Sequence, residues 1–145
     1  MVGFLPQLRS EDERWQGVMR EILFRGKIKE SGEWVDGDLV RIKDGDKVGW
    51  YIYGKSEVIP ETVGQFTGLT DKNGKRIFEG DIVDVEYDIN YIGVAAERIG
   101  AFEVVYNDGC FMKCNKRGLY HFIPSDKCKV IGNVYDNPDL MMGGV

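Results

Sequence analysis

Four side chains that favour soft metals follow one another late in the chain: Cys110, Cys114, His121 and Cys128. Three thiolates and an imidazole would make a closed structural zinc site. The spacing argues against it, because three, six and six residues intervene and there is no Cys-x-x-Cys knuckle. The plainer reading is small apolar side chains, with Cys110 and Cys114 sharing a strand face with Met112. His121 is the sole histidine, which excludes two-histidine metal enzymes and histidine-pair nucleases. A Cys–His catalytic pair would further need a pocket and an orienting third group, and the sequence shows neither. We expect no catalytic residue, no metal and no cofactor.

Charged residues fall in two blocks. Glu79, Asp81, Asp84, Glu86 and Asp88 form an acidic run with no cation inside it. Alternation puts Asp84, Glu86 and Asp88 on one strand face, which would suit a divalent cation or a basic partner, but more simply a solvated face that discourages edge pairing. The Asp71-Lys-Asn-Gly turn looks superficially like a calcium loop. Aligning Gly74 with that loop's glycine puts Leu69 and Gly80 at ligand positions, so the match fails. Lys113, Lys116, Arg117, Lys127 and Lys129 form the second block, interleaved with Phe111, Tyr120 and Phe122. Cations and aromatics on a small barrel can bind single-stranded nucleic acid, and the same residues also suit a solvated sheet rim over core aromatics. Trp50, Tyr51 and Tyr53 form a further aromatic cluster. Alternation must turn part of it outward, making it a candidate protein interface.

The elements that would carry these residues are strands. From Arg20 onward the apolar period is two: Ile22, Phe24 and Ile28 oppose Arg25, Lys27 and Lys29. Ser31-Gly32 turns into a strand from Trp34 to Ile42, with a bulge expected at Asp36-Gly37-Asp38. Lys43-Asp44-Gly45-Asp46 is a hairpin signal ahead of an aromatic-rich strand from Val48 to Tyr53. Glu57 to Phe66 is extended, Asn73-Gly74 makes another tip, and Asp81 to Tyr87 alternates. Ala101–Tyr106 pairs with Cys110–Cys114 through Asn107-Asp108-Gly109, and a last strand runs from about Lys127 to Tyr135. Ahead of all this, Ser10 and Glu13 have capping-box spacing, predicting a short helix to about Arg20 edged by Trp15, Val18 and Met19. Met19 is also an alternative start, since the patterned sequence begins just after it.

Composition agrees with a globular protein. In 145 residues, 43% are hydrophobic and 30% charged, and 19 glycines against 4 prolines point to many tight turns. The net charge of −5 disfavours nucleic acid as the principal partner, because phosphate binding rests on cations. Three cysteines, with only Met1 to Pro6 ahead as a poor secretion signal, read as reduced thiols in the cytoplasm. No apolar run has the length of a membrane span.

Three segments carry more than pattern: Arg20-Glu-Ile-Leu-Phe-Arg-Gly-Lys27, the long stretch from Glu61 through Thr-Gly-Leu-Thr-Asp-Lys-Asn-Gly-Lys-Arg-Ile-Phe-Glu-Gly-Asp to Val83, and Val130-Ile-Gly-Asn-Val-Tyr-Asp-Asn-Pro-Asp-Leu140. In content and order the chain resembles the YopX-like family of phage and prophage proteins from Met19 almost to its end. The resemblance implies a β-rich protein with an SH3-like C-terminal part, carried by a bacteriophage or prophage and working in the bacterial cytoplasm. It supplies no catalytic residue. Read physically, Gly64, Gly68, Gly74 and Gly80 suit sharp turns, Phe66, Leu69, Ile77, Phe78 and Val83 suit a hydrophobic plug, and Asp71 and Asn73 suit bonds to local backbone.

The combined expectation is a mainly β protein. Residues 1–18 form an extension with a short helix, 19–60 an N-terminal β-rich part, 61–140 an SH3-like barrel part and 141–145 a tail. Its function is expected to be non-enzymatic protein interaction or scaffolding, through a protein partner or a homo-oligomer, with nucleic-acid binding as the alternative.

Overall fold

The computed structural model describes residues 20–54, 56–86, 99–121 and 123–142. Strands β1 (Phe24–Lys27) and β2 (Trp34–Gly37) form an antiparallel pair, with Lys27 opposite Trp34. The chain then bends at Asp38 into β3 (Leu39–Asp44), which leaves β1 and pairs with β4 (Lys47–Ile52) instead. Gly37 permits this corner: its φ is 151°, and a Cβ there would meet Ile52 Cγ2 at 3.0 Å. The interruption expected as a bulge is therefore a change of sheet. A 3₁₀ turn at Pro60–Thr62 leads into β5 (Gly64–Thr70), which pairs with β1 on one side and β6 (Arg76–Phe78) on the other. The resulting sheet runs β2-β1-β5-β6.

Strand β7 (Asp81–Val85) opens the second sheet, ordered β10-β9-β8-β7-β11 with every neighbour antiparallel. Its other members are β8 (Gly100–Asn107), β9 (Cys110–Asn115), β10 (Gly118–Tyr120) and β11 (Cys128–Asn133). Asp108 and Gly109, with φ of 53° and 79°, close the β8–β9 hairpin as the Asn-Asp-Gly signal predicts. One core fills this half: Ile77, Val83, Val85, Phe102, Val104, Ile123 and Cys128, with Phe111, Tyr120 and Val130 packed at its edge. Full burial of a Val, Ile or Phe side chain is worth roughly 1.5–3 kcal/mol, so this cluster contributes a large share of the stabilisation. A short helix α1 (Asp139–Met142), absent from the sequence reading, ends the described chain.

The protein is mainly β, as expected. The helix expected from Ser10 to Arg20 lies outside the described residues apart from Arg20, as do Tyr87, Asp88 and Phe122. Strand β7 departs from its alternating pattern, since Ile82 and Val83 are both fully buried: the strand is covered on two faces. Ile22, expected inward, is 54% exposed because β1 begins only at Phe24. No helix among the described residues is long and apolar enough to cross a membrane.

Candidate interaction surface

The polar residues of the three distinctive segments are engaged with backbone. Asp71 is buried, and its Oδ1 accepts the N–H groups of Asn73 and Lys75, both at 2.9 Å, while Oδ2 accepts Val130 N–H at 2.9 Å. One carboxylate thus closes the β5–β6 tip and ties it to β11. Burial raises its pKa, but the three N–H donors and the Lys75 charge outweigh burial and hold it below the ordinary 3.8. Asp81 accepts Phe78 N–H at 2.8 Å and pairs with Arg25 at 2.7 Å. Burial pushes the Asp81 carboxyl up, against the pull of Arg25. Asn133 Oδ1 accepts Tyr135 and Asp136 N–H, and Asp136 in turn accepts Trp34 Nε1–H at 2.7 Å and pairs with Lys27. The Lys27 and Trp34 contacts draw the Asp136 pKa down to about 2. These bonds fasten the C-terminal segment to the first hairpin.

The glycines of the long segment divide by cause. Gly74 and Gly80 have φ of 83° and 92° in turns, whereas Gly68, expected at a turn, lies within β5 at the irregularity between Phe66 and Thr70 with φ 89°. Gly64 has no positive φ; a Cβ there would come within 2.5 Å of the Glu79 carbonyl oxygen, so close backbone approach selects it.

Arg25 lies at the meeting of these segments, its guanidinium 4.7 Å from the Trp34 ring centre and 4.9 Å from that of Phe78. A cleft of about 490 Å³ opens beside it, with Lys75 and Arg76 also in its lining. Arg25 Nε is buried without a hydrogen-bond partner among the described residues. Asp81 pairs with Arg25, Glu21 pairs with Arg76 and Asp36 joins the lining, so acids offset the cations of this cleft.

The β3–β4 hairpin is built differently. Residues 41–48 are all exposed, although they form a regular two-residue-turn hairpin with Asp44 opposite Lys47. Among the described residues only its base is anchored, through Ile52, which is fully buried, and through Val58 N–H bonded to the Trp50 carbonyl. Ile42 is 49% exposed and Val48 42%. Register places Ile42 with Tyr51 on one face, and Val48 with Trp50 on the other. Tyr53, at the strand's end, is 74% exposed, whereas Trp50 and Tyr51 are half-buried. The aromatic cluster expected at Trp50, Tyr51 and Tyr53 thus sits at the hairpin's base. Ile42 and Val48 were not singled out from sequence; their signal is the alternation on either side of the Gly45-Asp46 turn. A groove of about 520 Å³ runs along the Tyr51 face, between Ile42, Lys47 and Glu57.

The basic block is dispersed. Lys113 is fully buried, its Nζ 5.4 Å from the Phe102 ring centre and 5.7 Å from that of Tyr120, and so is withdrawn from any surface. It faces inward because β9 is covered on both sides, with Met112 buried as well. Lys116 and Arg117 stand exposed on the β9–β10 turn. Lys127 and Lys129 are exposed across from the acidic run: Lys129 is paired in register with Asp84, and both lysines help lower the pKa of Glu86, after the larger effect of its Lys72 bond.

The thiols do not converge. Cys110 Sγ lies 3.9 Å from His121 Nδ1, on an exposed edge. Cys128 is in the core, where burial and then Asp71 push its thiol up to about 11. Cys114 shares the Cys110 face by alternation, and burial followed by Glu103 raises its pKa. No three His, Cys, Asp or Glu side chains among the described residues group in a way that could hold a metal ion.

Comparison with known proteins places the chain in context. The family profile described as YopX protein matches residues 23–142. A solved structure, protein EF1440 from Enterococcus faecalis, aligns with a TM-score of 0.49 and 23% identity, covering 85% of this chain and 99% of that one. No curated protein matches the sequence.

Proposed function

We propose, from the premise that this chain belongs to the YopX protein family, that it is a non-enzymatic interaction or scaffold module whose contact element is the β3–β4 hairpin. The observation that carries this reading is the exposed run 41–48, solvated on both faces yet bearing Ile42 and Val48 beside Trp50, Tyr51 and Tyr53. Isolated two-stranded hairpins are marginal in water, and exposed apolar side chains on one are a liability unless something covers them. The alternative location, the distinctive segments, has its polar groups already bonded to backbone or to Arg25, Lys27 and Trp34. The five-stranded half is read as an SH3-like barrel, supported by antiparallel strands around a single core. The setting we assign is a bacteriophage or prophage gene product in the bacterial cytoplasm, acting on a phage or host protein or on another copy of itself.

Native mass spectrometry of gently purified protein tests this. The wild type should carry a stoichiometric protein partner or a second subunit, and Ile42→Lys with Val48→Lys should lose it while staying folded. Each apolar anchor buried at an interface contributes roughly 1–3 kcal/mol, so the double variant should weaken binding at least about thirtyfold. A wild type that stays monomeric and partnerless, or a variant that keeps its complex, would overturn the proposal.

A further inference from the structure

We infer that the outer edge of β3 is a strand-addition site for an extended acidic segment of a partner protein. This rests on the hairpin being the contact element and states how it binds. Tyr53 N–H donates to the Asp38 carbonyl, and the turn pairs Asp44 with Lys47. Antiparallel ladders alternate, so Val40, Ile42 and Asp44 turn their backbone groups toward β4. The Trp50 carbonyl, accepting Val58 N–H on the far side of β4, confirms that phase. The N–H and C=O groups of Leu39, Arg41 and Lys43 consequently point away from the hairpin. Among the described residues none of them has a backbone partner.

An edge with unpaired donors and acceptors at every second residue accepts a further strand, with side-chain pairs setting the choice of partner. Arg41 and Lys43 are exposed on one face, and neither forms an ion pair among the described residues. Arg41 is only loosely engaged, 5.8 Å from the Trp50 ring centre. Val40 and Ile42 lie on the other face. The complementary strand carries Asp or Glu at two alternate positions, facing Arg41 and Lys43, and an apolar residue between them, facing Ile42. A second copy of β3 fits poorly: antiparallel twofold pairing centred on Arg41 or on Ile42, the registers that use the middle of this edge, sets cation against cation, which destabilises a sheet. The whole chain carries a net charge of −5, so this basic strip is a local exception and favours an acidic segment that docks here alone.

The test uses the full-length ¹⁵N-labelled protein and a capped peptide, Thr-Val-Glu-Val-Glu-Val-Thr, with a control peptide carrying Lys for Glu. At saturation, hydrogen exchange at the amides of Leu39, Arg41 and Lys43 should slow at least tenfold with the Glu peptide and not with the Lys peptide. Arg41→Glu with Lys43→Glu should reverse that preference. Arg41→Pro, which removes an outward N–H and spares the β4 ladder, should weaken binding at least tenfold. Unchanged exchange at these three amides, or a preference that survives charge reversal, overturns the inference. Should a complex depend on Ile42 and Val48 while these amides exchange as in the free protein, the hairpin binds by its faces: strand addition falls and the interaction reading stands. Slowing that depends on protein concentration without any peptide would assign the edge to a second copy, and would equally overturn an acidic partner.

Discussion

Replacing Asp71 should be among the most damaging single changes to the fold, although it lies in a surface turn. Its carboxylate accepts three backbone N–H groups, each at 2.9 Å, from Asn73, Lys75 and Val130. A hydrogen bond to a charged group contributes about 1.5–3 kcal/mol. The three are not additive, because the exposed Asn73 and Lys75 can recover water, whereas Val130 N–H sits half-buried beside the β11 irregularity. Asp71→Ala should therefore cost about 3–4 kcal/mol, a drop of about 10–15 °C in Tm for a domain of this size. Asp71→Asn keeps one acceptor oxygen for the turn but sets an amide donor against Val130 N–H, so it should recover only a small part of that loss. Urea unfolding followed by tryptophan fluorescence should rank wild type above Asn above Ala, with unchanged slopes. The pH dependence supplies a second check. Because the folded pKa is held below the ordinary 3.8, this stabilisation is complete above that value and is lost as pH falls through the folded pKa. The gap between wild type and Asp71→Asn should hold from neutral pH to about 4, in keeping with that pKa, and narrow below it. A loss under about 1 kcal/mol for Asp71→Ala, or a gap unaffected by acid, would refute the account of the turn.

Other outcomes follow from the same geometry. Asp136→Ala, which frees Trp34 Nε1–H and Lys27 at a site 37% exposed and so partly screened, should destabilise by about 1–2 kcal/mol in thermal melts. With a folded pKa of about 2, its contribution should persist above the ordinary 3.8 and fade as pH drops from there through about 2; melts of Asp136→Asn lacking that dependence are the comparison. Iodoacetamide at pH 8 should label the half-buried Cys110 well before Cys128, which is fully buried with its thiol near 11; peptide mapping showing the reverse order would contradict the core assignment. Lys113→Ala should cost about 2–4 kcal/mol by emptying packed space beside Phe102 and Tyr120, while Lys116→Ala should stay within about 0.5 kcal/mol; equal effects in urea titrations would mean Lys113 is not interior.

Much of the fold was readable because its signals are local. Asp108-Gly109 and Gly45 occupy positive φ, and the sequence marks such turns with the residues that tolerate them. The Asp71 turn was likewise legible as a side chain bonding nearby backbone. Its third partner, Val130, lies 59 residues away, and no local pattern announces it. The candidate surface was half visible: Trp50, Tyr51 and Tyr53 were found as an aromatic cluster, but the exposure of Ile42 and Val48 depends on how far the hairpin extends beyond the core.

Alternation by itself determined that this polypeptide is strands joined by glycine-bearing turns, because side-chain direction in a strand depends only on parity. Which face ends up dry depends on what other strands supply. Parity reads Lys113 as solvent-facing, yet it lies inside because both faces of β9 are covered; Ile82 is buried beside Val83 for the same reason on β7. The change of sheet at Gly37, which frees the outer edge of β3, likewise arises only when Ile52 packs against that corner. Burial is a property of neighbours brought together from distant parts of the chain, and tertiary structure alone assigns them.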